Sequence, residues 1–322
     1  MSNSIYKCIE CNEGLIEQKN GLECKNGHTY NFLKEKKIHI FDYDKSMNEY
    51  TLDIKEVGQR YDNSMKWVLE TFKTSEDELR ISLIERLNLK KGDTVLVTGA
   101  GVGDDLPYIA EKVGKEGTIY AQDFSRQMIE EAQKRVDSHK NLKDYEILFS
   151  ISDATNLPFK DSSFDAVYHF GGINLFPDIK KGIYEMNRVA KENAMVVFGD
   201  ETVAPWLKGT EHGKMIIVNN PLCDFNAPLE DLPVTARDVV ISWECSYYFY
   251  VVSFRKSDKE LDVNYDVFHK GLRGGTLKSR YYGQIEGINL ELKDQIYQLA
   301  NNKGISRVEF IEELLKQGLK NV

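Results

Sequence analysis

The chain has no apolar run that approaches the roughly 18 residues of a membrane span. Its first ten residues, Met1 to Glu10, lack the apolar core of a signal peptide. We therefore expect a cytoplasmic protein with no membrane span. Cysteine is also scarce, since only five of the 322 residues are Cys and three of these lie near the N-terminus. That distribution does not suit a disulfide framework.

An excess of positive charge is missing as well. The formal net charge is −9, from 42 Lys and Arg against 51 Asp and Glu. This charge argues against a protein that binds polyanions generically, although a local basic face remains compatible with it. Hydrophobic residues make up 41% and charged residues 29% of the chain, as in ordinary globular proteins. The length suffices for one large domain with accessory segments.

The stretch 94–106 predicts a buried strand, a glycine turn and the start of a helix. The apolar run Val95–Val97 is typical of a strand covered on both faces. Glycines permit a sharp turn and leave no side chain between the backbone and a ligand. The turn contains three of them, Gly99, Gly101 and Gly103. Asp104 is the predicted N-cap of the helix. Such a turn brings a nucleotide-like ligand against the amides of a helix N-terminus.

The next predicted strand, Thr118–Asp123, ends in an acid 20 residues after Gly103. Doubly wound folds place a ribose-binding carboxylate at about this distance. The glycine spacing, however, is G-x-G-x-G and position 106 is Leu. The dinucleotide fingerprint G-x-G-x-x-G is therefore missing, and an NAD-dependent dehydrogenase is a poor candidate.

Three further motifs follow in order along the chain. They are Asp153-Ala154-Thr155-Asn156-Leu157-Pro158-Phe159, Phe164-Asp165-Ala166-Val167 and Glu185-Met186-Asn187-Arg188-Val189. With the glycine loop and Asp123, this succession resembles the class I S-adenosylmethionine (SAM)-dependent methyltransferases. It looks closest to the branch that includes the ubiquinone/menaquinone-biosynthesis methyltransferases. The resemblance covers about residues 92–201 and is specific, because five motifs occur in the family's order.

The alternation of strands and helices over residues 91–256 predicts an α/β fold with a parallel sheet. The resemblance implies a doubly wound, mostly parallel, seven-stranded Rossmann-like sheet. The predicted strands are Thr94–Thr98, Thr118–Asp123, Tyr145–Ser150, Asp165–Phe170 and Ala194–Asp200, with a closing antiparallel pair at Val239–Glu244 and Tyr247–Phe254. Residues 201–236 are interpreted as a substrate insert over the active site. A helix and loop packed on the sheet edge is the alternative.

The resemblance also implies which residues would bind SAM. Phe124 and Met128 would flank the adenine, and core packing is the alternative for both. Asp153 and Ala154 would meet the edge of the adenine. Asp123 would bind the ribose, since an acid that ends a buried strand needs a polar partner. The complete implied set is Thr98, Gly99, Ala100, Gly101, Gly103, Asp123, Phe124, Met128, Asp153, Ala154 and Phe170.

Two positions leave the chemistry open. Thr98 stands where the family usually has Asp or Glu near the SAM amino group, and Asp104 or Asp105 is the candidate substitute. His169 is a candidate general base, because the ordinary pKa of histidine is about 6.5. We favour the alternative of a structural histidine at a strand end. Methyl transfer from a sulfonium needs chiefly in-line positioning, so no catalytic residue is obligatory.

Residues 1–45 contain two knuckles with metal-ligand spacing. They are Cys8-x2-Cys11 and Cys24-x3-His28, with twelve residues between them. Four such ligands suit a closed, tetrahedral and therefore structural zinc site in a small ribbon. A metal would supply much of the folding energy of so short a segment. Three unrelated thiols and a surface histidine are the alternative. The layout is similar to the zinc finger of the bacterial 23S rRNA guanine-N1 methyltransferases, which adds an RNA hypothesis.

Two helical segments flank the predicted core. Residues 46–90 are predicted to form a helical linker or lid, in which Tyr61 and Trp67 are candidate pocket residues. Residues 257–322 are predicted to form a basic loop and a helical hairpin. The basic loop, 271–283, suits a phosphate or nucleobase, or is simply solvated. The hairpin faintly resembles a ribbon-helix-helix unit, which would imply a homodimer.

The sequence therefore predicts a SAM-dependent methyltransferase with a structural zinc ribbon. A small or medium-sized, partly apolar acceptor is the first choice, because of the core resemblance and the acidic charge. The ribbon and the basic stretch 273–280 leave an rRNA or tRNA base methyltransferase as the alternative. A protein that binds SAM or a partner without chemistry is a second alternative, since Thr98 departs from the family pattern and no base is evident.

Overall fold

A computed structural model describes residues 4–19, 21–33, 38–41, 57–282 and 289–321. The chain divides into two units, Met1–Asp258 and Lys259–Val322. The predicted linker or lid at 46–90 lies partly outside the described residues, at 46–56. Residues 1–3, 20, 34–37 and 42–45 of the predicted ribbon and Gly283 of the basic loop also lie outside the described residues.

The first unit is built on one sheet. Its strands are β1 (Leu15–Gln18), β2 (Gly21–Cys24), β3 (Thr29–Leu33), β4 (Ile38–Ile40), β5 (Thr94–Thr98), β6 (Thr118–Asp123), β7 (Glu146–Ile151), β8 (Phe164–Phe170), β9 (Ala190–Glu201), β10 (Ala236–Glu244) and β11 (Phe249–Lys256). Over the described residues their order is β1-β2-β3-β4-β7-β6-β5-β8-β9-β11-β10. The strands β7, β6, β5, β8 and β9 run parallel, and β11 and β10 close the sheet antiparallel.

The predicted core strands are all present, with β5 and β6 at the predicted bounds and the others shifted by a few residues. Residues Val95–Val97 of β5 are buried, as expected for a strand covered on both faces. The predicted count of seven strands is wrong, because the sheet in the described residues has eleven. The four additional strands come from the N-terminal segment.

The N-terminal strands extend the sheet instead of forming a separate domain. Strand β4 pairs parallel with β7 through His39 opposite Ser150. The ring of Tyr6 also stacks on Phe159, with a centroid distance of 5.1 Å. An unpaired β7 edge would leave backbone N–H and C=O groups open to association with other chains, and β4 covers this edge.

The helices of the first unit are α1 (Val57–Phe72), α2 (Glu76–Glu85), α3 (Leu106–Val113), α4 (Arg126–Ser138), α5 (Ile179–Val189) and α6 (Glu211–Asn219). Asp104 is not the N-cap of α3, contrary to the prediction. Asp105 holds that position and makes no side-chain capping bond, because ion pairs engage both acids. Within the predicted insert, residues 205–207, 221–224 and 229–231 form short 3-10 helices around α6.

The second unit contains α7 (Leu277–Tyr282), α8 (Leu290–Lys303) and α9 (Arg307–Leu319). The predicted capping box is present, because Ser306 and Glu309 exchange side-chain and backbone hydrogen bonds at the start of α9. The small core of this second unit consists of Ile296, Ala300 and Phe310. The described residues of this unit include no strand, so the strand of a ribbon-helix-helix unit is not seen there. Among the residues described in either unit, no helix is both long and apolar enough to cross a membrane.

The packing of α2 against the sheet generates a stability prediction. Leu83 is 0% exposed within the core, whereas Ile81 on the same helix is 44% exposed. We expect Leu83→Ala to lower the free energy of unfolding by about 2–5 kcal/mol, because it leaves a cavity in a packed interior. Ile81→Ala should change it by no more than about 0.5 kcal/mol. Urea denaturation of both variants checks this, and equal losses would contradict the packing of α2.

Candidate functional site

A cavity of about 590 Å³ lies at the carboxyl ends of the parallel strands. Its lining includes residues at or just beyond the ends of four adjacent strands, namely Asp123 (β6), Gly99 (β5), Phe170 (β8) and Glu201 (β9). Residues of α1, among them Tyr61 and Val68, form another part of the wall. Open α/β sheets bind their ligands in this crevice, at the point where the strand order reverses.

The glycine loop after β5 adopts backbone conformations that favour glycine. Gly99 and Gly101 have φ angles of +63° and +54°. A Cβ atom on Gly99 would lie 2.7 Å from the His169 ring. The Gly101 N–H donates a hydrogen bond of 2.9 Å to the Asp123 carboxylate. The loop is therefore held close to β8 and is tied directly to the end of β6.

Asp123 presents a buried acceptor to the cavity. Its carboxylate accepts hydrogen bonds from the backbone N–H groups of Gly101 (2.9 Å) and Ser125 (2.8 Å). Burial raises the pKa of Asp123, and these amides oppose that shift because they stabilise the ionised form. The backbone N–H of Phe124 is a third partner. A carboxylate has about four acceptor sites, so these amides still leave capacity for a hydroxyl group of a ligand.

Most of the residues that the sequence implied for the cofactor meet at this cavity. Those that line it are Gly99, Ala100, Gly101, Asp123, Phe124, Met128, Asp153, Ala154 and Phe170. Thr98 and Gly103 are not among the described residues that do so. The Thr98 hydroxyl instead donates to the side chain of Gln122, which lines the cavity itself. A Cβ atom on Gly103 would lie 2.9 Å from Leu106, so this glycine permits close packing of α3.

A buried ion-pair cluster supports the same wall. Arg80 on α2 is 1% exposed, and its guanidinium donates to both carboxylate oxygens of Asp105, at 3.0 and 3.1 Å. Arg135 on α4 donates to Asp104 at 3.0 Å. Asp104 and Asp105, the candidate substitutes for Thr98, are therefore already engaged in ion pairs with arginine side chains. Sequence reasoning missed Arg80, because a single basic residue in an amphipathic helix normally faces solvent.

His169 lines the cavity as a buried residue at the end of β8. Its Nδ1 lies 2.8 Å from the Thr98 carbonyl oxygen, and a carbonyl only accepts, so Nδ1 carries the proton. Burial lowers the pKa of His169 to about 4. The ring is therefore neutral at physiological pH, and the hydrogen bond between β8 and β5 supports the structural interpretation of this histidine.

Two acids at the end of β9 were not among the predicted site residues. The Asp200 carboxylate accepts backbone N–H groups of Asn174 (2.7 Å) and Glu201 (2.8 Å). The Glu201 carboxylate accepts a hydrogen bond from the Asn220 amide. Burial, followed by the charge of Asp200, raises the pKa of Glu201 to about 7. The rule that singled out Asp123, an acid ending a buried strand, also fits these residues.

A second candidate site lies in the N-terminal ribbon. The ligand atoms of Cys8, Cys11, Cys24 and His28 all lie within 4.8 Å of one another. The Cys11 and Cys24 sulfurs are 3.7 Å apart, and His28 Nδ1 is 3.4 Å from the Cys8 and Cys24 sulfurs. A tetrahedral zinc ion with bonds of 2.0–2.3 Å requires ligand separations of roughly 3.3–3.8 Å. The geometry of this Cys3His group thus fits a metal ion.

Neighbouring groups hold the side chains of this cluster in place. The Tyr30 hydroxyl lies 3.0 Å from the Cys8 sulfur, and the Glu10 carboxylate lies 3.5 Å from His28 Nε2. Partners of this kind fix the ring orientation and the donor strength of metal ligands. Both knuckles bend back on themselves, since Asn12 N–H donates to the Cys8 carbonyl and Gly27 N–H to the Cys24 carbonyl.

The fold and the strand-end cavity define a Rossmann-like protein of the class I methyltransferase type. Residues 43–206, just over half of the chain, match the family model described as the ubiE/COQ5 methyltransferase family. The chain belongs to this family.

Individual relatives agree with this assignment. The demethylmenaquinone methyltransferase of Staphylococcus epidermidis is 34% identical over 118 residues, which are 37% of this chain and 47% of the relative. That of Geobacillus kaustophilus is 35% identical over 130 residues, or 40% and 54% of the two chains. The chain thus spans about half the length of these curated relatives. The phosphoethanolamine N-methyltransferase 2 of Haemonchus contortus, solved with SAM, shares the fold with a TM-score of 0.51 at 14% identity, over 76% of this chain and 71% of that one.

The Arg80 cluster generates a second stability prediction. Removal of the guanidinium leaves the Asp104 and Asp105 carboxylates without their buried partner. We therefore expect Arg80→Ala to lower the free energy of unfolding by about 3–5 kcal/mol. Lys115→Ala serves as the matched control, because Lys115 and Asp144 form an exposed ion pair whose loss should have little effect. Denaturation curves that coincide for the two variants would show that Arg80 is not structural.

Proposed function

We propose that the protein is a SAM-dependent methyltransferase that acts on a small or medium-sized, partly apolar acceptor. The observation that carries this proposal is the buried Asp123 carboxylate, tied to the glycine loop at the edge of a 590 Å³ cavity. A nucleoside with a ribose diol is the ligand that this acceptor and the neighbouring backbone suit best. Family membership supports the same class of reaction.

The residues around the cavity fit SAM. Asp123 would accept hydrogen bonds from the ribose hydroxyls, and the loop at Gly99–Gly101 would lie along the amino-acid part. Phe124 and Met128 would cover the faces of the adenine, with Asp153 at its edge. SAM would supply an electrophilic methyl group, and the protein would hold it in line with the nucleophile and exclude water.

The acceptor would occupy the other end of the cavity. The wall of this end has a large apolar part, formed by Phe170, Phe176, Leu222 and Phe249, next to the acids Asp200 and Glu201. Such a lining suits an aromatic ring better than a charged or strongly hydrated molecule. The relatives are named for demethylmenaquinone, so the reduced form of a quinone of that type is the first acceptor to test.

The described basic residues of the C-terminal unit give the RNA alternative little support. The Arg280 guanidinium donates to the Gly274 carbonyl oxygen, and Lys278 lies 3.5 Å from the Asp266 carboxylate. Protein groups thus already engage two of the cations in the basic stretch. The net charge of −9 also disfavours a nucleic-acid substrate.

We propose a zinc ion as the occupant of the Cys3His group. Four protein ligands leave no open position, so the ion would be structural and would not take part in methyl transfer. Cys8, and Tyr30 whose hydroxyl contacts the Cys8 sulfur, also belong to the apolar core that includes Phe159 and Phe164. Metal binding would therefore stabilise the edge of the main sheet as well as the ribbon.

SAM binding is the first test of the proposed function. Isothermal titration should show micromolar binding of SAM or S-adenosylhomocysteine and none of NAD. Asp123→Ala should weaken it at least tenfold, because it removes both the ribose acceptor and the tie to the Gly101 amide. Asp137→Ala, an exposed acid on α4, is the control and should bind normally. Binding of NAD with no binding of SAM would overturn the proposal.

Zinc binding is tested separately. The purified protein should contain about one zinc ion per chain, as a single closed four-ligand site requires. Cys24→Ser should lose most of the metal and melt at a lower temperature, whereas Cys245→Ala, outside the cluster, should keep it. Elemental analysis and thermal denaturation measure both effects. A folded protein without metal, as stable with a chelator as without, would reject the structural role.

A further inference from the structure

We infer that Glu201 is a catalytic residue of the methyl transfer and accepts the proton that the acceptor loses. This inference rests on the proposed function and deepens it, because it identifies a base within the same cavity. The inference rests on the position of Glu201 in the cavity, on the groups that hold its carboxylate, and on a second cavity that Glu201 also lines.

The order of the strands puts Glu201 at the end of the cavity opposite Asp123. The strands run β6-β5-β8-β9, so three interstrand spacings separate the ends that carry these two acids. At about 4.8 Å each, these spacings amount to roughly 14 Å. A nucleoside bound through its ribose at Asp123 therefore extends past the β5 loop towards β8 and β9. The acceptor then lies beside Glu201.

The carboxylate of Glu201 is held in place from two sides. The Asn220 amide donates to it, and the Asn220 side-chain oxygen in turn accepts the Leu222 N–H at 3.1 Å. The Tyr248 side chain also forms a hydrogen bond to Glu201. Both partners fix one orientation of the acid, while Glu201 still forms part of the cavity wall. An acid held in this way is preorganised for proton transfer.

A second cavity of about 420 Å³ gives this acid a connection to solvent. Glu201, Ser64 and Val68 line both cavities. The second one also includes Trp67 in its wall, and Trp67 is 46% exposed. Glu201 therefore separates the buried reaction space from a path to water. A base in this position passes its proton out without opening the reaction cavity.

The charged and titratable groups around Glu201 explain why it suits the role better than its neighbours. Asp200 precedes it on β9, Tyr248 comes just before β11, and Cys223 lies after α6. The carboxylate of Asp200 is already engaged by the backbone N–H groups of Asn174, Glu201, Gly172 and Ile173. His169 is neutral and has a pKa of about 4, too low for an effective base. Burial and Asp200 instead raise the pKa of Glu201 to about 7.

With a reduced quinone as acceptor, a new carbon–carbon bond replaces the bond between the methyl carbon and sulfur. A ring carbon of the acceptor donates an electron pair to the methyl carbon, and the bond from that carbon to sulfur breaks. The pair of the broken bond stays on sulfur, which leaves S-adenosylhomocysteine. The ring carbon must then lose its hydrogen as a proton to recover aromaticity. The ionised Glu201 carboxylate takes this proton and releases it to solvent.

Glu201→Gln tests the inference, because it keeps the shape and a hydrogen-bonding oxygen but removes the base. The assay uses SAM with a labelled methyl group and a chemically reduced, short-chain demethylmenaquinone under anaerobic conditions. In the wild type, kcat should rise with pH to a plateau, with a midpoint at about 7, since the ionised acid is the active form. Glu201→Gln should lower kcat by about 10²–10⁴-fold and abolish this dependence.

Binding of SAM separates catalysis from folding. Glu201→Gln should bind SAM within about twofold of the wild type, and the exposed Glu211→Gln should resemble the wild type in both binding and rate. If Glu201→Gln retains the rate and the pH profile of the wild type, the inference is wrong although the proposed function stands. If it loses SAM binding, Glu201 is structural and the inference is also wrong.

A titration that does not depend on the acceptor covers the case in which the wild type does not methylate this quinol. Carbon NMR of glutamate-labelled protein bound to S-adenosylhomocysteine should show one carboxyl group with a midpoint at about 7, missing from Glu201→Gln. A midpoint below about 5, near the ordinary value for glutamate, would overturn the inference. If the carboxyl group titrates at about 7 but the protein does not methylate this quinol, the result would support Glu201 as the base and reject only this acceptor.

Discussion

The hydrogen bond from the Gly101 N–H to the Asp123 carboxylate is the interaction on which the candidate site depends. It joins the loop after β5 to the end of β6 across 2.9 Å. The loop can approach so closely because glycines occupy its positive φ angles, and a side chain on Gly99 would collide with His169. The same carboxylate keeps acceptor capacity for a ligand. One acid thus both shapes the loop and faces the cavity.

Burial shifts the pKa values of the two candidate bases, His169 and Glu201, in opposite directions. It lowers the pKa of His169, because the charged form of histidine is the protonated one. It raises the pKa of Glu201, because the charged form of glutamate is the deprotonated one. The ordinary pKa of histidine makes His169 a candidate base in the sequence alone, whereas the surroundings of the cavity favour Glu201. Only the surroundings of each group reveal this reversal.

Local sequence patterns were sufficient to predict much of the fold of the sheet. The bounds of β5 and β6 agree with the prediction, because β-branched runs, turn glycines and a terminal acid all act within a few neighbouring residues. The three Cys and one His side chains of the ribbon also come together as predicted, since each knuckle holds its two members close and the β1–β2 hairpin brings the two knuckles together. Asp104 failed as a cap because Arg80 and Arg135, distant in sequence, engage the acids at this turn.

The sequence by itself thus determined the order of the elements, the glycine loop with its acid, and the members of the Cys3His group, since short local motifs encode each of these. Tertiary structure alone decided that β4 joins the sheet beside β7 and that Arg80 is buried. It also decided that Glu201 lines both the main cavity and the second one. These features depend on contacts between segments far apart in the chain. The periodicity and spacing of residues in the sequence do not indicate which distant group will pair with a charged side chain, or which will shield that side chain from water.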